Sequence, residues 1–569
     1  MFHPTVNKST NQAFYFLLVY NYFAMNKLLE IQQTKKIKKT QDTTCAATLV
    51  ETLIRLGVDS IFGYPGASVL SIYNELSKTE KITHYLARHE QAAIHAAEGY
   101  ARTSGKTGVV LVTSGPGFTN TLTGIINAHT DSTPLVILAG DVQKSTKTGK
   151  TFQCVDIESL TKSCSKKTYI LKEKDDIKQV LEEAFYEANS GVKGPVIIAL
   201  PRNIIESKYT KKFFHTNKKE TKKTDFKFEK FTELINKSEN PIVLIGGGCA
   251  NASKEIQNFV SKLDCPVVST LMGIGNYPSS RDNYLGMIGL NGVYTANVAL
   301  NHSDLIIALG VAFSDRSTCK NKTFAKKNKI ISVNINSISK DFTLEICSDI
   351  KRFFSNFDLN KIKQKNRLDW KQKIEALKAE NAKFYVKKDN NLHSSFVLKT
   401  LSEYTKRYEP IVVTDVGQHQ MLTAQFFEFN KPRKFITSGG LGTMGFGLPA
   451  AIGAYIANPD KLVINITGDG SFQMNLQELA TCRENNIPIK IIIMNNGYLG
   501  MVRQIQEKIY NNNFQVEMNN PDFTKIAEAY DLFAIRVTKK YELIDAIQKA
   551  ISHKGTAIVD IMIDSFENI

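Results

Sequence analysis

Two carboxylates in this sequence stand where residue type and spacing allow cofactor chemistry. Asp469 lies in the turn Gly468-Asp469-Gly470-Ser471, between the β-branched run "KLVINIT" and the helix-spaced "FQMNLQELATCREN"; a second apolar run, "IKIIIM", ends at Asn495-Asn496. The pattern predicts a strand, helix, strand unit. Parallel strands joined by a crossover helix end on one sheet edge, so Asp469 and Asn496 are expected to face a single volume. One carboxylate and one amide oxygen, beside glycines and a helix start, suit a magnesium ion that keeps some waters and shares phosphate oxygens. The plainer use of these residues is structural, with Asp469 capping the helix and the asparagine pair making a turn.

The second carboxylate is Glu90. In "YLARHEQAAIHAAEGYAR", Glu90, Ala93, Ala97 and Tyr100 fall near one helical face, and alanines crowd the acid. Glu90 therefore opens a tightly packed helix. There it is either a first-turn acid favoured by the helix dipole or a buried proton carrier tuned by desolvation.

These side chains need scaffolds, and the chain supplies three. Its 569 residues, 42% of them hydrophobic, suffice for about three or four domains. Apolar strands ending in glycine-rich turns recur over residues 43–205 ("GVVLVTSGPG"), 229–354 ("PIVLIGGG", "SDLIIALG") and 392–569 ("PIVVTDVG"), which predicts an α/β protein with three doubly wound parallel sheets. Residues 206–228 and 355–391, rich in Lys, Asn and Glu, read as linkers, the second partly helical and holding the single tryptophan, Trp370.

Composition narrows the function. The net charge of +17 comes from dispersed lysines with clusters in tail and linker, so a solvated surface is expected and no nucleic-acid partner. Eight cysteines lack any CxxC pair and ten histidines lack metal-ligand spacing, which argues against zinc and structural disulfides and for a reducing, cytoplasmic setting. The apolar run "AFYFLLVYNYFAM" is too short to span a membrane. Residues 1–42 read as an N-terminal extension with Met25 as a natural start; the alternative is an organellar targeting segment or interfacial anchor.

From about Thr43 to Asp564 the sequence resembles the acetolactate synthase (acetohydroxyacid synthase) large-subunit family of thiamine-diphosphate enzymes, through "RHEQAAIHAAEGYARTSGK", "TSGPGFTN", "DVGQHQMLTAQFFEFNKPRKFITSGGLGTMGFGLPAAIGA" and "GDGSFQMNLQELATCRENNIPIKIIIMNNGYLGMVRQ". The resemblance implies that residues 43–205 bind the cofactor's pyrimidine, 229–354 form a central FAD-type domain and 392–569 bind diphosphate and magnesium. Asp469, Asn496 and the main-chain oxygen of Tyr498 match the metal ligands. Glu90 matches the glutamate that hydrogen-bonds the aminopyrimidine ring. Tyr64, Pro65, Gly66, Gly417, Gln418, His419, Gly442, Met444, Gly468, Gly470 and Ser471 match cofactor-binding positions, with Met444 propping the cofactor's bent shape. Phe152, Gln153, Lys166, Val502 and Ile505 match positions near substrate, and Arg316 matches the arginine that holds the acceptor's carboxylate.

The implied reaction decarboxylates pyruvate and ligates the two-carbon unit to a second 2-oxoacid, pyruvate or 2-oxobutanoate, in branched-chain amino acid biosynthesis. The alternatives are a degradative acetolactate synthase or another thiamine-diphosphate 2-oxoacid decarboxylase. The resemblance further implies a homodimer or homotetramer whose cofactor lies between the first domain of one subunit and the third of its partner, and it allows for a small regulatory subunit.

This sequence departs from its relatives mainly in the middle domain. The usual "RFDDR" is "AFSDR", ending at Arg316; the aspartates of "IDID" are Asn334 and Asn336; the histidine of "GMHG" is Asn291. Gly246, Gly247 and Gly248 still follow a strand, where main chain approaches a nucleotide, so structural FAD is expected to bind weakly. Elsewhere Ala67 replaces the second glycine of "YPGG", Ile505 replaces a tryptophan, and the chain ends at "DSFENI" without the usual tail, which leads us to expect looser closure over the site.

Overall fold

The computed structural model describes residues 43–143, 151–173, 175–210, 226–318, 328–337, 341–384 and 391–569. The expected N-terminal extension, and much of the first expected linker, lie outside them. The β-branched runs form three six-stranded parallel sheets. The first holds β1 (Ser60–Gly63), β2 (Thr83–Leu86), β3 (Gly108–Val112), β4 (Leu135–Asp141), β5 (Lys167–Ile170) and β6 (Pro195–Pro201), ordered β2-β1-β3-β4-β6-β5. The second holds β7 (Pro241–Ile245), β8 (Val267–Ser269), β9 (Tyr284–Met287), β10 (Leu305–Leu309), β11 (Lys329–Asn334) and β12 (Leu344–Cys347), ordered β12-β11-β10-β7-β8-β9. The third holds β13 (Ile411–Thr414), β14 (Phe435–Ile436), β15 (Val463–Gly468), β16 (Lys490–Asn495), β17 (Phe533–Val537) and β18 (Ala557–Met562), ordered β14-β13-β15-β16-β18-β17.

Apolar clusters cover both faces of each sheet, which is why the central strands read as unbroken rather than alternating apolar runs. Strand order reverses at β1/β3, β7/β10 and β13/β15, and at such switch points the loops diverge and leave a crevice at the carboxyl edge. Each glycine-rich motif follows one of these strands. Among the described residues no helix is long and apolar enough to cross a membrane.

Two local expectations change. The segment 355–391 is more than a linker: Leu368–Phe384 is a helix whose Trp370, Ile374 and Leu377 pack against the central sheet, with Trp370 Nε1 donating to the Pro241 carbonyl at 3.1 Å. Their i, i+4, i+7 spacing is that of an amphipathic helix face. In place of the single helix expected over residues 472–485 the chain forms a short helix Asp469–Phe472, a 3-10 turn Leu476–Glu478 and a helix Leu479–Glu484. Asn475 interrupts it, because its side-chain amide donates to the Gly445 carbonyl at 2.7 Å.

Candidate active site

The third sheet builds one half of the site. β15 and β16 pair in parallel with Gly468 opposite Met494, so Asp469 and Asn496 leave the same edge side by side. Asp469 Oδ2 accepts the Gly497 N–H at 2.9 Å and the Asn520 amide at 2.6 Å. Asn496 Oδ1 accepts the Tyr498 N–H at 3.0 Å, and its Nδ2 donates to Gln418 Oε1 at 3.3 Å. Asp469 is buried, and desolvation pushes its pKa up despite those amide hydrogen bonds. A buried carboxylate held by neutral amides is a site where a cation lowers the energy of the charged form. Among the described residues no group of three or more His, Cys, Asp or Glu is arranged to hold a metal. The oxygens at hand, from the Asp469 carboxylate, the Asn496 amide and the main chain, fit a hard ion that also takes phosphate and water oxygens.

The diphosphate side is built by the loop after β13. Asp415, fully buried, accepts the N–H groups of Val416, Gly445 and Gly447, tying that loop to the start of the helix Gly447–Ala457. Burial pushes its pKa up to about 6. His419 is buried beside Gly417 and Gly468, and desolvation depresses its pKa to about 3, so it is neutral. Its Nε2 has no hydrogen-bond partner within the described structure, an unmet need that a phosphate oxygen would satisfy. Gly442 takes φ +74, with nothing nearer than Val416 at 4.0 Å to where its Cβ would be, and so leaves a cradle ahead of the half-buried Met444. Ser471 Oγ accepts the Gly468 N–H at 3.2 Å, and Gly470 lies against Leu499 and Met518. These residues fit a bound diphosphate and its cation. The terminal residues also reach this wall: Gln418 Nε2 donates to the Glu567 carbonyl at 3.0 Å, and the buried Arg503 donates to Asn568 Oδ1 at 2.9 Å.

The first sheet builds the other half. Glu90 begins the helix Glu90–Ser104; His89 caps it by accepting the Gln91 N–H, and Gly105 ends it at φ +80. Asn120 Nδ2 donates to Glu90 Oε2 at 2.9 Å, which leaves Oε1 beside Gly117. Gly66 lies against Thr113 so closely that a Cβ would overlap that side chain, bringing Tyr64-Pro65-Gly66 against the β3 loop. Gly115, at φ +61, lets Gln153 lie on the same loop, and Ser114 Oγ donates to Gln153 Oε1 at 3.3 Å. Phe152 is 83% exposed.

One expected member stands apart, and another lies on the central domain. Lys166 precedes β5 at the amino edge of the first sheet, whereas Glu90 follows β2 at the carboxyl edge. Its ammonium caps the helix Ile177–Asn189, donating to the carbonyls of Glu187 and Ser190 at 2.5 Å each, so in this chain it does not join Glu90 and Gln153. Burial lowers its pKa. Arg316 is exposed on the short helix Asp315–Thr318 beyond β10, and its carbonyl accepts the Leu290 N–H next to Asn291.

In the middle sheet, Gly246 packs on the Gly310 carbonyl and Gly248 N–H donates to it at 3.1 Å, while Gly247 and Gly248 stay exposed. The Asn334 amide is satisfied within the protein, by the Val311 carbonyl and the Ile335 N–H. The glycine turn fits a nucleotide; Asn334 adds no charge to hold one.

The matches to known proteins follow the same three units. Residues 43–160 match the thiamine pyrophosphate enzyme N-terminal TPP binding domain, 228–357 its central domain, and 415–561 its C-terminal TPP binding domain. Over 545 residues the chain is 40% identical to the acetolactate synthase large subunit of Buchnera aphidicola from Acyrthosiphon pisum, covering 92% of this chain and 95% of that one. The chain belongs to the acetolactate synthase family. The family's chloroplastic acetolactate synthase from Arabidopsis thaliana is 38% identical (92% of this chain, 82% of that one), and the large subunit from Haemophilus influenzae is also 38% identical (92% and 95%). Within this family frame, the sequence reading missed Asn120, Asp415 and Asn520. Each is an Asn or Asp at a strand or turn end, a residue type too common there to stand out without its partner.

Within one chain the two halves of this acetolactate synthase site are separate. The Glu90 helix packs on the helix Gly447–Ala457 with Gly99 at Ala450 and Ala96 at Gly453, so the two run antiparallel. That register sets Gly447 level with Arg102, and Glu90 lies about 18 Å farther along the axis.

Proposed function

We propose that this chain decarboxylates pyruvate and ligates the two-carbon unit to a second 2-oxoacid, pyruvate or 2-oxobutanoate, in branched-chain amino acid biosynthesis. The observation that carries the reading is the pair Asp469 and Asn496 at the carboxyl edge of β15 and β16, beside a His419 whose Nε2 has no hydrogen-bond partner within the described structure. Thiamine diphosphate, when bound, supplies the nucleophilic carbon and the electron sink for decarboxylation. Asp469, Asn496 and the Tyr498 carbonyl hold magnesium, and His419 donates to a phosphate oxygen. Glu90 holds and returns a proton at Oε1, while Asn120 fixes its other oxygen. Phe152, Gln153, Val502 and Ile505 wall off water, and Arg316 receives the acceptor's carboxylate. The central domain holds FAD only weakly.

That axial offset of about 18 Å supports a homodimer at least, with Glu90 serving the partner's diphosphate half. The exposed Phe152, Val502 and Ile505 are surfaces that such a partner covers. The test is product analysis: purified protein with thiamine diphosphate, magnesium and pyruvate is expected to form acetolactate. Acetaldehyde or acetyl phosphate as the main product overturns the reading.

A further inference from the structure

The loop that cradles the cofactor in the third domain is gripped by the first domain of the same chain. Asn127 and Asp131 lie one turn apart on one face at the end of the helix Leu122–Thr130. Asp131 accepts the N–H groups of Gly439 at 3.0 Å and Gly440 at 2.7 Å. Asn127, fully buried, accepts Ser438 Oγ at 2.5 Å and Thr443 Oγ1 at 3.1 Å through its single oxygen. Its Nδ2 donates to Glu98 Oε2 at 2.8 Å, and Glu98 Oε1 is held by His95 Nδ1 at 2.9 Å. Burial pushes the Glu98 pKa up, and its Oε2 accepts from the NH2 of Asn127, which turns the amide oxygen to the two hydroxyls. Ser438 and Thr443 bracket Gly442, and Thr443 immediately precedes Met444.

We propose that Asn127, oriented by Glu98, is a positioning residue for cofactor binding: it sets the Ser438–Thr443 loop so that Gly442 and Met444 meet the bound thiamine diphosphate. This rests on the thiamine-diphosphate reading of the site. It adds that the first domain shapes the diphosphate half of its own chain, beside presenting Glu90 to another. Leucine at 127 keeps the branching of the side chain, at a larger volume, and removes both hydroxyl bonds; aspartate keeps the oxygens and sets a second carboxyl group against Glu98.

The experiment titrates thiamine diphosphate into magnesium-containing, cofactor-stripped full-length protein by calorimetry. Wild type must bind; if it does not, the reading of the site fails, separately from this proposal. For folded Asn127→Leu, Kd is expected to rise about tenfold, or about 1.4 kcal/mol, with the KM for pyruvate at saturating cofactor within about twofold of wild type. Adding Thr443→Val to Asn127→Leu should weaken binding by no more than about a further twofold, because both remove the same bond from Thr443 Oγ1. A Kd for Asn127→Leu within about twofold of wild type, a parallel rise in the pyruvate KM, or fully additive losses overturns the proposal. Should Asn127→Leu or Asn127→Asp not fold, Thr443→Val alone is expected to raise Kd about threefold, and an unchanged Kd overturns it.

Discussion

Gly99 and Ala450 meet so closely that a Cβ on Gly99 would sit 1.9 Å from the Ala450 carbonyl oxygen, and a Cβ on Gly453 would sit 1.7 Å from that of Ala96. The two helices touch backbone to backbone. This contact joins the first domain to the third and fixes how far Glu90 stands from its own chain's diphosphate half. Small residues in "AAIHAAEGYA" and "GLPAAIGAYIA" are there because nothing larger fits.

The contact predicts that Gly453→Ala is destabilising although alanine favours helix. The added methyl must push two backbones apart, and overpacking of this kind costs about 1 to 3 kcal/mol. Thermal unfolding followed by circular dichroism should show a lower midpoint. An unchanged midpoint would mean that the helices are not held this closely.

Acid should destabilise the cofactor-free protein through His419. Its folded pKa is depressed to about 3 from an ordinary value of 6.5, so between these pH values the unfolded chain binds a proton that the folded chain does not. The stability it contributes is present above pH 6.5 and is lost as pH falls toward 3. Asp415 has the opposite sign: its folded pKa is raised to about 6, so its contribution is present below its ordinary 3.8 and is lost as pH rises through 6. Comparison with His419→Gln isolates the histidine. Urea midpoints at pH 7, 6 and 5 should show the variant gaining on wild type by about 1.4 kcal/mol per pH unit below 6.5. Parallel curves would contradict this.

Flavin should be weakly held. Asn334 spends its amide inside the protein, and Ala312, Ser314 and Asn291 carry none of the charge of the residues they replace. Each lost polar contact to a dinucleotide is worth on the order of 1 kcal/mol. The purified protein should be pale after dialysis while keeping activity with added thiamine diphosphate and magnesium. Stoichiometric flavin absorbance surviving dialysis would refute this.

Acceptor choice should favour pyruvate. Ile505 is 51% exposed on the helix Gly500–Tyr510, at the position where the family resemblance implies an indole wall. Discrimination by one methylene is worth only about 1 to 3 kcal/mol and depends on that wall. With pyruvate and 2-oxobutanoate both present, acetolactate is expected to be the main product, and Ile505→Trp should shift the partition toward the 2-oxobutanoate product. A wild type that already prefers 2-oxobutanoate strongly and is indifferent to the tryptophan would sink the idea.

The parts of this molecule legible in its sequence are those with short-range causes. Runs such as "GVVLV" and "IKIIIM" announced buried parallel strands, and the glycine turns after β7, β13 and β15 announced doubly wound sheets, because strand burial and turn chemistry are local. The break at Asn475 was hidden because its cause, the Gly445 carbonyl, lies thirty residues away. The packed helix around Trp370 was obscured by the charges on its solvated face. Lys166 carried a resemblance to a substrate position, yet its neighbours in this chain are the end carbonyls of a helix, a contact no local pattern encodes. The grip of Asn127 on Ser438 joins positions 311 residues apart and could only be seen in the fold.

The central claim is that two chains share each site, Glu90 from one and Asp469 from the other. Glu90→Gln and Asp469→Asn chains, each expected to lose at least about 100-fold in acetolactate formation, can carry different tags and be purified together through both. In such a heterodimer one site collects both substitutions and the other none. The account predicts about half of wild-type acetolactate formation from the doubly tagged protein. Heterodimers as inactive as either parent would contradict it.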